Sequence, residues 1–240
     1  MQRIVRQVCG IDVAKDELVV VAGRLYDDMT PELYARKSFP NSDKGFCALL
    51  VWMNKLTEPS IETRFVMEAT GVYHEKLAYF LYGQGQLITV VLPNKISNYF
   101  RTLETKTITD KTASDAIARF GLERKLDNWK PASPVYKKLR QLTRERDQLV
   151  QNRTIAKNQL HAEQSEAEPN KTSLARKKKL IFLLDKQEKE IVHELKGLVK
   201  TDEEVKAKIK LMCSLSGIGF LTAVTVLAET DGFNMIRNKR

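Results

Sequence analysis

The chain has 240 residues, 42% hydrophobic and 29% charged, with 40 Lys+Arg against 30 Asp+Glu for a formal net charge of +10. At roughly 100–200 residues per domain, this suffices for one good core and a smaller appendage. Apolar runs such as 18–22 (LVVVA) fall far short of the about 20 residues that a membrane span requires. The opening MQRIVRQVCGIDVAKD has no apolar signal-peptide core, and the widely spaced Cys9, Cys47 and Cys213 give neither a disulfide framework nor a CxxC zinc site. A membrane protein, a secreted mini-domain and a disordered tail are excluded, and a reducing cytosol suits the cysteines.

In chain order, 7–13 (QVCGIDV) and 16–25 (DELVVVAGRL) read as β-branched strands joined by a tight turn at Ala14-Lys15. A third strand follows at 32–39. After Pro40, Asn41 or Ser42 can cap a helix to about Leu56, with Phe46, Leu49, Leu50 and Met53 on one face. Residues 64–69 (RFVMEA) read as a buried strand that turns at Thr70-Gly71 into a helix carrying Leu77, Phe80 and Leu81. A further strand, 87–92 (LITVVL), is stopped by Pro93-Asn94. The order β-β-β-α-β-α-β-α implies a mixed α/β sheet with flanking helices, as in the ribonuclease H-like (RuvC-like) class. An actin-like ATPase half begins similarly, but the sequence offers no second Gly-rich phosphate loop.

Beyond Pro131 and Pro134 the texture changes. Val135, Leu142, Leu149 and Ala156 recur every seven residues, with Leu139 and Leu160 on a second seam that Arg146 and Arg153 interrupt. Leu174, Ile181, Leu184, Ile191, Leu195 and Leu198 form another set, so two long helices folded as an antiparallel coiled-coil hairpin are expected. Pairing between two copies fits the same periodicity. Charge is concentrated here: 136–210 holds 19 basic and 12 acidic residues, against 18 and 16 in 1–135. Lys137, Lys138, Arg140, Arg144, Arg176, Lys177, Lys178 and Lys179 are the candidates for polynucleotide backbone, the alternative being a solvated helix face. Ser216-Gly217-Ile218-Gly219 leads into an apolar helix at 220–229; Gly217 and Gly219 could present N–H groups to a phosphate or simply make a helix-entry turn. With nothing beyond Arg240 for this helix to pack on, the reading is a truncated chain. The expected domains are thus 1–130, 131–210 and an incomplete 211–240.

Two carboxylates stand out in the first part. Asp12 projects alone from the apolar strand GIDVAK, and Glu68 holds the equivalent place in MEATG. A carboxylate is costly to bury without a compensating charge, which Lys15, Arg64 or a metal ion could supply. In 105–121, Asp110 can serve either as a helix cap, as Thr109 can, or with Asp115 as a metal ligand. Hard cations such as Mg²⁺ take oxygen ligands, a few carboxylates being completed by substrate phosphates.

GIDVAKDELVV, MEATGVYHEKLAYFLYGQG, VVLPNKISNYF and KTITDKTASDAIARFG together resemble the DEDD-type insertion-sequence transposases. These are relatives of the Piv DNA invertase with a RuvC-like amino-terminal domain. SLSGIGFLTAVTVLAETDGF resembles the start of that family's C-terminal transposase domain. The resemblance implies a four-carboxylate site for Mg²⁺ or Mn²⁺, a coiled coil used in homo-oligomerisation, and DNA recombination guided by a structured bridge RNA. Carried over, Asp12, Glu68 and Asp110 match the first three acids. The fourth falls on Ala113 in an ungapped match and on Asp115 with a two-residue insertion, Ser114 being an outside candidate through water. Positions 110 and 113 lie about 60° apart around a helix, and 110 and 115 about 140°. The family's C-terminal serine nucleophile lies beyond this chain, so Ser214 and Ser216 do not take its role and full strand exchange by these residues alone is not expected. The leading reading is a metal-dependent DNA transposase or recombinase in the bacterial cytoplasm, associated with the nucleoid. A Holliday-junction-type nuclease and a non-catalytic RNA- or DNA-binding adaptor are the alternatives.

Overall fold

A computed structural model describes residues 2–69, 71–102, 110–234 and 236, apart from the side chains of Asp110 and Lys111. IVRQVCGIDV and ELVVVAGRLY form β1 (Ile4–Val13) and β2 (Glu17–Tyr26), and β3 (Pro31–Pro40) completes an antiparallel meander. β4 (Thr63–Glu68) and β5 (Leu87–Val91) join in parallel on the other side of β1, giving the order β3-β2-β1-β4-β5. This is a mixed sheet flanked by helices, as the order of elements in the sequence implied.

The alternation along β1 decides which helices cover which face. Cys9, Ile11 and Val13 point to one side, where Phe65 and Met67 of β4 join them under α1 (Asp43–Leu56) and α2 (Glu75–Gly83). Ser42 starts α1 by accepting from the Gly45 N–H at 3.4 Å, and Phe46, Leu49 and Met53 supply its buried face. Each such side chain contributes about 1.5–3 kcal/mol on burial. Val8 and Val66 point to the other side, beneath Ile117 and Leu122 of α4 (Asp110–Glu123) and Ile96 of α3 (Pro93–Phe100). The buried Gln7 pins the loop after α1, donating to the carbonyls of Glu58 (3.0 Å) and Ile61 (2.9 Å) and accepting from the Glu58 N–H (2.7 Å).

Helix α3 corrects the sequence reading. Pro93 ends β5 but also opens this helix, because proline at the first helical turn lacks only an N–H that would have no partner there.

The second compact unit comprises residues 132–240. α5 (Pro134–Gln164) and α6 (Lys171–Lys200) fold back on one another, Asn170 capping α6 by accepting from the N–H groups of Thr172 and Ser173. The pairs Lys138–Glu194, Arg146–Glu188 and Arg153–Asp185 run in opposite senses along the two helices, so the hairpin is antiparallel. Arg146 and Arg153, which break the apolar seam of α5, both meet Glu188 across it. α7 (Glu203–Cys213) and α8 (Phe220–Glu229) complete the unit.

The boundary expected between 210 and 211 does not divide the packing. Ala223, Val224, Leu227 and Ala228 of α8 share one core with Tyr136 and Leu139 of α5 and with Val205 and Ile209 of α7. Helix α8 therefore has a surface to pack on, contrary to expectation; periodicity within 220–229 could not reveal a partner some 90 residues earlier. Among the described residues, no helix is long and apolar enough to cross a membrane.

Candidate active site

The last registered pair between β1 and β4 is Ile11 with Met67, so Asp12 and Glu68 are the next residues on two adjacent, parallel, central strands. Such neighbours lie about 4.8 Å apart along the hydrogen-bonding direction. Both are half-buried. Each follows a residue of the α1/α2 face by one position, so both point to the α4 face. Asn41 ties the backbone just beyond these positions together, its Nδ2 donating to the carbonyls of Ala14 (2.9 Å) and Tyr73 (3.2 Å). Arg64, the offered salt-bridge partner, instead donates to Thr89 Oγ1 (2.9 Å) and Asn128 Oδ1 (2.8 Å).

Two glycines set the approach of α4. A Cβ on Gly10 would lie 2.5 Å from the Ala118 backbone nitrogen, and one on Gly121 would lie 2.8 Å from methyl carbons of Val8 and Val66. Moving from Ala118 to Gly121 thus moves back along β1 from Gly10 to Val8, and α4 runs antiparallel to that strand. Ser114 is one turn, about 6 Å, before Ala118, and Asp12 is two strand residues, about 6.6 Å, beyond Gly10. The fully buried Ser114 is therefore level with Asp12. Asp110 opens α4 one further turn out, towards the same end of the sheet, but its side chain lies outside the described residues. Thr109, the other candidate cap, also lies outside them.

Asp115 goes elsewhere. One position round the helix from Ser114, it pairs with Arg36 on the edge strand β3, two strands away from β1. The structure thus brings Asp12 and Glu68 together and directs Asp115 away from them. No group of three or more His, Cys, Asp or Glu side chains suited to a metal occurs among the described residues. A pair of carboxylates still fits Mg²⁺, which commonly takes one or two carboxylates and completes its shell with water and phosphate oxygens. His74, just before α2, is held below the usual imidazole range by burial, partly opposed by the charge of Glu75.

Several of the basic candidates are occupied within the helical unit. Arg140 donates to the Ala228 carbonyl at 3.0 Å and Arg144 makes a two-pronged contact with Glu229 at 2.7 and 2.8 Å, together holding the end of α8. The Arg144 guanidinium also keeps the Glu229 carboxyl below its ordinary range, chiefly through that hydrogen bonding. Lys138 reaches Glu194 (3.2 Å) and Lys177 reaches Glu163 (3.6 Å). Lys137 lies in the first turn of α5. Arg176, Lys178 and Lys179 are exposed on α6. Gly217 has φ of +87°, which by itself accounts for a glycine there, and Gly219 is the residue before α8. The partners that occupy Arg140, Arg144 and Asp115 lie 79 to 88 residues away in sequence, and no local signal announces them.

Comparison with known proteins agrees with the motif reading. The pilin gene-inverting protein of Moraxella lacunata is 30% identical over 149 residues, covering 60% of this chain and 44% of that protein. Its Moraxella bovis counterpart is 30% identical over 151 residues with the same coverage. The chain thus spans less than half the length of these curated relatives. Among solved structures, RuvC of T. thermophilus in complex with a Holliday junction substrate aligns with a TM-score of 0.37 and 11% identity, over 51% of this chain and 99% of that one. A second Thermus thermophilus RuvC structure gives 0.33 and 11%, over 52% and 85%. The family model DEDD_Tnp_IS110, described as a transposase, matches residues 9–165 and so takes in both Asp12 and Glu68. With well over half of its length inside that model, the chain belongs to the DEDD transposase family of the IS110 type.

Proposed function

We propose that this chain carries the metal-dependent, DNA-cleaving part of a transposase or recombinase, with Asp12, Glu68 and Asp110 as ligands for Mg²⁺ or Mn²⁺. The observation that supports this reading is the placement of Asp12 and Glu68 at successive register positions of two central strands, facing the same way. A divalent cation bound there supplies Lewis-acid stabilisation of the charge that grows on a phosphodiester under attack. The protein's own part is to fix the carboxylates. Asn41 joins the backbone beyond them, and Gly10 and Gly121 let α4 close over the sheet at the level of Ser114. Asp115 is left out of the ligand set: paired with Arg36, it holds α4 to the edge of the sheet.

The basic surface of the second unit binds polynucleotide backbone, both the DNA and a structured guide RNA, through contacts that position without reading bases. The helical hairpin contributes coiled-coil contacts between copies of the chain. Pilin gene inversion, the activity in the relatives' name, is a DNA rearrangement of the same class.

The test is nicking of branched DNA by this chain in Mg²⁺. Cleavage should vanish in EDTA and fall by about 100-fold or more in Asp12→Asn and in Glu68→Gln, with the fold retained. Cleavage indifferent to both substitutions, or no cleavage with any divalent ion while nucleic acid still binds, would favour the adaptor reading. That alternative draws on the lack of a third ligand among the described side chains.

A further inference from the structure

We propose that the outer face of α6, centred on Phe182, is a contact for unpaired bases of a polynucleotide. Phe182 is 72% exposed in the middle of a 30-residue helix. At about 100° per residue, Leu184, Ile191 and Leu195 lie on the opposite side of α6, where they are buried in the helical core. Phe182 therefore points away from the hairpin and cannot be a core residue left slightly open. On its own side, within about 60° of it, lie Lys178, Lys179, Lys186, Lys189 and Lys196, every one exposed. Of the carboxylates nearby, Asp185 is held by Arg153 at 2.6 Å, and Glu190 meets Lys186 at a loose 3.7 Å. The result is a cationic ridge about 27 Å long from Lys178 to Lys196, with one bare aromatic ring in it.

The occupant must therefore be anionic along its length and offer a flat apolar surface at one point. Unpaired nucleotides do both, since every base has a face on which an aromatic side chain can stack while lysines follow the phosphates. In a duplex those faces are already stacked on one another, and a ring on a convex helix cannot reach them. A second copy meeting this face through its own ridge would bring lysine against lysine, which disfavours self-association there. The proposal rests on the reading of the chain as a nucleic-acid partner, but not on the carboxylate pair.

The experiment measures binding of a 5′-labelled 12-nucleotide oligouridylate, the matching oligothymidylate and a 12-base-pair duplex to the 240-residue chain. One stacking contact is worth about 1–3 kcal/mol, so Phe182→Ala should weaken both single strands by about 5- to 160-fold and leave the duplex unmoved. Phe182→Trp should restore the affinity and show quenched emission on titration, above the background of Trp52 and Trp129. Equal single-strand affinity of Phe182→Ala and the parent, or unquenched emission from Phe182→Trp, would overturn the proposal. A change confined to oligomeric state in light scattering would do so too, and would assign the ridge to a protein partner. Normal oligonucleotide binding without Mg²⁺-dependent nicking would sink the carboxylate reading alone, whereas nicking with a silent Phe182 would sink this one alone.

Discussion

Gly10→Val is expected to cost the first unit about 3 kcal/mol or more, lowering its melting temperature by roughly 10 °C. The Cβ would stand 2.5 Å from the backbone nitrogen of Ala118 and 2.6 Å from its Cα. Neither can swing aside as a side chain could. To relieve the overlap, the whole of α4 must lift from the sheet, which breaks the contacts of Ile117 and Leu122 with Val8 and Val66. The same lift carries Ser114 and the amino end of α4 away from Asp12, so residual activity should fall further than stability. Gly83→Ala is the control, since a Cβ there meets nothing within 4 Å. Calorimetry of the three proteins decides: a Gly10→Val transition coincident with that of the parent would show that α4 is not seated on this glycine.

Glu188→Ala should destabilise the helical hairpin by about 2 kcal/mol, more than the loss of any surface ion pair. Glu188 is only 15% exposed and takes Arg146 at 2.7 Å on one oxygen and Arg153 on the other. Removing it leaves two guanidinium groups in the seam, Arg153 keeping Asp185 at 2.6 Å and Arg146 keeping only the longer, 3.5 Å contact with the exposed Asp147. The cost arises from the stranded charges, so replacing Arg146, Arg153 and Glu188 together by leucine should restore stability or raise it. Such a variant would lose what the polar layer supplies, a fixed register between α5 and α6. Urea unfolding followed by helical circular dichroism reads both changes, and a Glu188→Ala midpoint equal to that of the parent would refute the argument.

What the sequence disclosed, it disclosed through period and punctuation. The strands of the first unit follow β-branched alternation, and that alternation alone sets Asp12 on the side opposite Ile11 and Val13, with Glu68 in the equivalent place on its own strand. Helix α3 was hidden because Pro93 both ends a strand and begins a helix, and local chemistry cannot say which role will be used. Of the arginines of α5, Arg140 and Arg144 read as candidates for phosphate, and Arg146 and Arg153 only as breaks in an apolar seam. Arg146 and Arg153 proved to face Glu188, while Arg140 and Arg144 hold the end of α8. Their roles are set by residues that only tertiary folding brings near. Asp115 is the sharpest case, since its spacing from Asp110 already argued against a common ligand set and Arg36 gives it another partner. Phe182 is masked in the sequence because it sits inside the apolar run 180–184 (LIFLL), where its neighbours do not say which face turns inward. Its exposure is visible only once the inner face of α6 is known.

The most direct test of the shared-cation reading is Mn²⁺ binding, followed by electron paramagnetic resonance as free ion is lost from solution. The parent chain should bind Mn²⁺ saturably, with Mg²⁺ competing. Asp12→Asn and Glu68→Gln should each weaken binding by more than the ~10–100-fold that outer-shell changes cost, and Asp115→Asn should leave it within about a factor of two. Undiminished Mn²⁺ affinity in Asp12→Asn and Glu68→Gln, or a loss on Asp115→Asn alone, would contradict the account.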